Sequence, residues 1–180
     1  MMDIAPLSPP SSWIMQQASN WPAGARLIDI ASGQGRHSTA LAAAYPDRFD
    51  ILAVDRDQAA LAALKARCSD ITTCHFDLET DASWPFSGKS FDVVLVTNYL
   101  YRPRLDDVFR LVGAGGYIAY ETFGNGNAAF GRPSNPDYLL EEGELLARLP
   151  DNFIKIDYFH GQIDQPKPAI IQRLSARRAA

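Results

Sequence analysis

Residues 26–38 read Arg-Leu-Ile-Asp-Ile-Ala-Ser-Gly-Gln-Gly-Arg-His-Ser. Residues 27–31 are a short, mostly apolar run of the kind that forms a strand buried on both faces. Residues 32–35 are a turn of small residues, and from Arg36 the pattern becomes helical. Strand, glycine turn and helix in that order bring backbone N–H groups and a helix N-terminus close to a ligand, because glycine has no Cβ in the way. Such a unit is stable only inside a sheet whose strands alternate with covering helices.

The rest of the chain supplies that alternation. Strand runs are read at 27–31, 50–54, 71–76, 91–97, 117–122, 153–160 and 169–175. Helical patterns cover about 11–20, 36–44, 58–67, 103–112 and 139–149, with Gly113, Gly115 and Gly116 ending the fourth. This predicts an α/β fold: a doubly wound, mainly parallel, seven-stranded sheet closed by an antiparallel strand. The 180 residues are read as one domain. Residues 1–22 are an N-terminal segment with a short helix, loosely held before residue 11. Residues 123–137, dense in Gly, Asn and Pro, are read as a lid loop, and the tail at Arg177 and Arg178 is expected to fray.

Composition excludes several classes of function. A net charge of −4 argues against a chain built to grip a phosphate backbone. Cys68 and Cys74 have neither metal-ligand nor disulfide spacing, so no metal is expected. No apolar run is long enough to cross a membrane, and residues 1–10 lack the pattern of a signal peptide. The expectation is a cytoplasmic protein with a small-molecule partner, no nucleic acid and no membrane.

In sheets of this type ligands sit beyond the carboxyl ends of the strands, where the strand order reverses. Asp55 ends the second strand, and a carboxylate there can accept two hydrogen bonds from a ribose diol. Asp77 ends the third strand and can accept from an exocyclic amine. Asn98 and Tyr99 follow the fourth. Any one of these alone is an ordinary turn residue; together, behind a glycine turn, they describe a nucleoside-type site.

The dinucleotide fingerprint Gly-x-Gly-x-x-Gly is incomplete, since Ser38 stands where the third glycine belongs. At this point the sequence resembles the class I S-adenosylmethionine-dependent methyltransferases, which have a Rossmann-like fold. Residues 29–35 look like their first motif, with Ala31 in place of the usual first glycine. Ala53-Val54-Asp55 looks like the second motif and Asp77-Leu78 like the third. Residues 91–97 resemble their fourth strand, and Gly113-Ala114-Gly115-Gly116 the turn before their fifth. A narrower resemblance, to the small bacterial tellurite-resistance-type methyltransferases, rests on residues 32–38, 120–123, 131–133 and 140–146.

The resemblance implies S-adenosylmethionine as cofactor and an in-line methyl transfer to a small molecule. Asp29, Ala31, Ser32, Gly33 and Gly35 would hold its methionine part. Asp55, with Arg56 beside it, would hold the ribose, Asp77 and Leu78 the adenine, and Asn98 and Tyr99 the floor near the sulfonium. Tyr99, Tyr101, Arg102 and His160 are candidate catalytic residues. Tyr101, Arg102, Glu121, Arg132 and Asn135 are candidates for the acceptor side. His37, one turn into its helix, is read as facing either the pocket or solvent, with a solvent-side place the default. The alternatives are an NAD(P)-dependent oxidoreductase, which shares the logic of Asp55, and a non-catalytic cofactor-binding module.

Overall fold

The computed structural model describes residues 6–180. The first helix is α1 (Ser12–Ala18), capped by Ser11, whose hydroxyl accepts from the backbone of Ile14. Then come β1 (Ala25–Ile30), α2 (Arg36–Ala44), β2 (Phe49–Asp55), α3 (Gln58–Arg67), β3 (Thr72–His75) and β4 (Phe91–Thr97). The chain finishes with α4 (Leu105–Arg110), β5 (Val112–Phe123), α5 (Glu144–Ala147), β6 (Phe153–Ile163) and β7 (Ala169–Arg178). The seven strands lie in the order β3-β2-β1-β4-β5-β7-β6. All neighbours through β5 are parallel, while β7 runs antiparallel to both β5 and β6. The fold expected from the sequence is therefore the fold observed, and the strand order reverses between β1 and β4.

The period-two alternation of strand side chains divides the core. Leu27, Ile51, Ala53, Val93 and Leu95 pack with Trp13, Leu41 and Leu64 from α1, α2 and α3. Ile28, Val54, Val94, Val96 and Ile118 pack on the other face with Phe109 of α4, Trp84 and Phe86. Helices on both faces leave the carboxyl ends of β1, β2 and β4 as the open edge.

Several boundaries differ from the sequence reading. The fourth helix ends at Arg110, and the glycines after it lie within β5. They form a bulge, since Phe91 pairs with Val112 but Val93 already pairs with Tyr117. The expected helix at 139–149 shrinks to the four residues of α5. Leu140 instead makes an extended bridge to Gly124, and both Leu139 and Leu140 are buried. Gly143, at φ 76°, sets the start of the shortened helix. Arg177 and Arg178 do not fray: they lie in β7, and their guanidiniums donate to the carbonyls of Gly115 and Val112.

Candidate active site

The turn after β1 is built from residues with left-handed backbone. Ala31, Gly33 and Gly35 have φ of 55°, 55° and 74°. A Cβ on Gly35 would lie 2.3 Å from Leu64 Cδ1, so this glycine lets α2 close on α3. A Cβ on Gly33 would meet nothing within 4 Å, so its Cα faces open space. Asp55 fastens the turn from the end of β2: its Oδ2 accepts from the Gly33 N–H at 2.7 Å, and Oδ1 from the Asp57 N–H at 2.8 Å.

Asp29, on β1 beneath the turn, is buried. Its Oδ2 accepts from the Ser38 hydroxyl at 2.5 Å, while Oδ1 has no hydrogen-bond partner. Burial pushes its pKa up to about 7, opposed by the Ser38 hydrogen bond and by the charge of Arg36. Ser38 was not among the site residues expected from the sequence; its place in the first turn of a helix packed on β1 is the signal that points to it.

His37 faces inward, contrary to the solvent-side reading, and is 2% exposed. Its Nε2 accepts from the Ser11 N–H at 3.1 Å, which leaves the proton on Nδ1, 3.1 Å from the Thr97 hydroxyl. Burial, with Arg36 adding to it, lowers its pKa to about 3, so the ring is neutral.

Along the same edge, Asp77 Oδ1 accepts from the Glu79 N–H at 3.0 Å, and Leu78 is buried beneath. Arg56 is exposed and reaches Glu79 at 3.4 Å. Asn98 follows β4 at φ 54°, in the left-handed region that asparagine tolerates. The Tyr99 hydroxyl is buried without a partner, and burial raises its pKa, so it stays protonated.

Two cavities meet at Asn98 and Phe123, which line both. One, of about 320 Å³, opens toward Arg56, Glu79, Tyr99 and Tyr138. The other, of about 390 Å³, lies between Pro10 and Ser11 of the N-terminal segment, Arg36, Glu121 and the β6–β7 hairpin. Both volumes fall in the usual range for small-molecule sites, roughly 300–1,000 Å³.

Of the residues expected from the sequence, only Arg56, Asn98, Tyr99 and Glu121 line these two cavities; Asp29, residues 31–35, Asp55, Asp77 and Leu78 do not. Glu121 lines the larger cavity, but its Oε2 pairs with Arg173 Nε at 2.5 Å and accepts from the Ser11 hydroxyl at 3.0 Å. Arg102 grips both oxygens of Glu144, at 2.7 and 2.8 Å, and donates to the carbonyls of Asp137 and Leu139. Tyr101, Arg102, Arg132, Asn135 and His160 line neither cavity. Arg132 is exposed, and Asn135 accepts from the Asp137 N–H at 3.0 Å to start a short turn. His160, on edge strand β6, packs its ring against Gly124. Among the described residues no group of His, Cys, Asp or Glu is gathered to hold a metal ion, and no helix is long and apolar enough to cross a membrane.

The profile of the methyltransferase domain matches residues 27–116, half of the chain. The chain belongs to the methyltransferase-domain family. This membership sets aside the oxidoreductase reading. A search of curated proteins finds no significant match. Among solved structures, the chain superposes on TehB from Haemophilus influenzae with a TM-score of 0.74 at 16% identity, over 94% of this chain and 62% of that one. It superposes on a TehB-like S-adenosylmethionine-dependent methyltransferase from Corynebacterium glutamicum with a TM-score of 0.65 at 20% identity, over 92% and 85%. A third match, an S-adenosylmethionine-dependent methyltransferase from Mesorhizobium loti, gives 0.66 at 18% identity, over 92% and 96%. The chain thus spans less than two thirds of the length of TehB, and 47% of TrmN from Thermus thermophilus. At these identities the likeness is one of fold.

Proposed function

We propose that this methyltransferase uses S-adenosylmethionine and methylates a small molecule by in-line transfer. The observation that carries the reading is the pair of cavities meeting at Asn98, one lined by Arg56 and Tyr99 and the other by Arg36 and Glu121. The names of the Corynebacterium and Mesorhizobium structures point to the same cofactor.

The residues present fit that cofactor. Asp29 Oδ1 is a buried acceptor lacking a donor, suited to an ammonium group. The open Cα side of Gly33 leaves room for a close approach. Asp29 and the turn 31–35 hold the methionine part, Asp55 and Arg56 the ribose, and Asp77 and Leu78 the adenine. Asn98 and Tyr99 form the wall between donor and acceptor. When bound, the cofactor supplies a methyl group already activated on a sulfonium, which passes to the acceptor's lone pair as the carbon–sulfur bond breaks onto sulfur.

The chain's own contribution is alignment and exclusion of water. Free bases are scarce around the acceptor cavity. Glu121 is spent on Arg173, and His37 already accepts at Nε2 and is held neutral. An acceptor that arrives as an anion or soft nucleophile needs no base. The expected lid, residues 123–137, is held by Asn127, whose amide bonds Pro133 O and Ile170 N, and by Arg102, which donates to Asp137 O.

Titration calorimetry with S-adenosylhomocysteine tests the cofactor. Binding at micromolar protein is expected, and Asp55→Ala should weaken it by about tenfold or more, the loss of charge-assisted hydrogen bonds. No binding, or undiminished binding by the variant, overturns the assignment.

A further inference from the structure

The larger cavity has an uneven lining. Its wall is mostly apolar, from Pro10, Phe123, Ile163, Pro166 and Ile171. Its charged groups are Arg36, Lys167, Arg173 and one carboxylate, Glu121. Glu121 and Arg173 neutralise each other at 2.5 Å, and the Arg173 guanidinium also lies over the Trp13 and Phe159 rings. Two cations are left over.

Of these, Arg36 is the more telling. It is partly buried at the start of α2, and its guanidinium makes no hydrogen bond or ion pair among the described residues. Glu121 and Asp29 act on it only through space, and burial works against its charge. A guanidinium taken partly out of water without a paired carboxylate is unfavourable unless a ligand supplies the anion. Its planar fork suits a carboxylate or a similar oxyanion in two-point contact. Lys167 brings a second, mobile positive charge from the exposed β6–β7 loop to the same space.

We infer that the methyl acceptor is an amphipathic organic anion: an apolar body against the Phe123, Ile163 and Ile171 wall, with one carboxylate-type group facing Arg36 and Lys167. This rests on the proposed methyl transfer and names the acceptor class for the same site. Arg36, Lys167 and the apolar wall line the same cavity, so body and anionic group share it.

The test is calorimetry on the full chain saturated with S-adenosylhomocysteine. The probes are octanoate and 3-phenylpropionate, each compared with its alcohol, 1-octanol or 3-phenylpropanol. At least one acid should bind roughly tenfold more tightly than its alcohol, the discrimination expected of one charged contact. Arg36→Met should abolish that preference, and Lys167→Gln, in an exposed loop where folding is not at risk, should reduce it. Affinity for S-adenosylhomocysteine should stay within about twofold in Lys167→Gln. Acid and alcohol binding alike, or neither acid binding, overturns the acceptor class. Loss of S-adenosylhomocysteine binding in Arg36→Met gives this arginine to the cofactor and also overturns it. Failure of the unaltered chain to bind S-adenosylhomocysteine sinks the function itself, and the acceptor class with it.

Discussion

The backbone N–H of Ser11 donates to Nε2 of His37 at 3.1 Å, across 26 residues of chain. The contact ties the N-terminal segment to the first turn of α2. Through Nδ1 the same ring reaches the Thr97 hydroxyl, one residue before Asn98. Ser11 also gives its hydroxyl to Glu121, and Trp13 gives its indole N–H to Asp157 at 2.7 Å. One short segment is thus hooked to α2, β5 and β6, forming one side of the larger cavity.

Replacing His37 by leucine keeps the volume and removes both partners. The Ser11 N–H and the Thr97 hydroxyl then lose their contacts in a buried setting, at a cost of about 1–3 kcal/mol. Urea unfolding should show that loss at neutral pH. Chymotrypsin should also cleave the N-terminal segment, at Trp13, faster than in the unaltered chain. Unchanged stability and unchanged cleavage would mean that the hook carries no load.

His37 and Asp29 pull the pH dependence of stability in opposite directions. The folded pKa of His37, about 3, lies below its ordinary value of 6.5, so its contribution is complete above pH 6.5 and falls as the pH drops toward 3. The folded pKa of Asp29, about 7, lies above 3.8, so its contribution is complete below pH 3.8 and is lost as the pH rises through 7. The two oppose each other between about pH 4 and 6.5. Asp29→Asn removes one of them, and its urea midpoint should climb more steeply with pH over that window than that of the unaltered chain. An ammonium bound at Asp29 Oδ1 should also expel the carboxyl proton. S-adenosylhomocysteine binding near pH 7 should therefore release about half a proton, seen as a buffer-dependent heat that Asp29→Asn abolishes.

The three left-handed positions in the turn should respond differently to one methyl group. Gly33→Ala meets no neighbour and should fold at a cost of about 1–2 kcal/mol from its positive φ, yet bind S-adenosylhomocysteine at least about tenfold more weakly. Gly35→Ala drives a Cβ into Leu64 and should lose substantially more stability. Ala31→Gly should gain about 0.5–1 kcal/mol, the relief of left-handed strain less the added freedom of the unfolded chain. Thermal unfolding alongside calorimetry separates these effects.

Arg102 and Glu144 form a two-point pair that pins residues 137–144 to the end of β4. Glu144 is held below the usual carboxylate range by Arg102, against the effect of burial. Arg102→Met should cost about 1–3 kcal/mol and expose the 128–138 segment to protease. Arg102→Lys should not rescue it, since an ammonium cannot match the fork. In the unaltered chain, cleavage of that segment should slow when S-adenosylhomocysteine and octanoate are both present; no change would speak against a lid.

The glycine turn, the alternation of strands and helices, and the acidic residues at the ends of β2 and β3 were legible in the sequence, because each depends on neighbours within a few positions. Local periodicity buries residues 27–30 and 93–96, and a parallel sheet follows from helices inserted between strands. The inward turn of His37, the spending of Arg102 on Glu144 and the pairing of Glu121 with Arg173 were not legible. Their partners lie 26 to 60, 42 and 52 residues away, and only packing selects them. The same holds for residues 139–149, whose helical pattern yields to an extended bridge with Gly124 once the core takes Leu139 and Leu140. The sequence alone determined the strand, glycine turn and helix at β1 and α2, and the acidic residues beyond β2 and β3. The tertiary structure decided which charges there remain uncompensated, because a charge is free or spent only when every group packed against it is known.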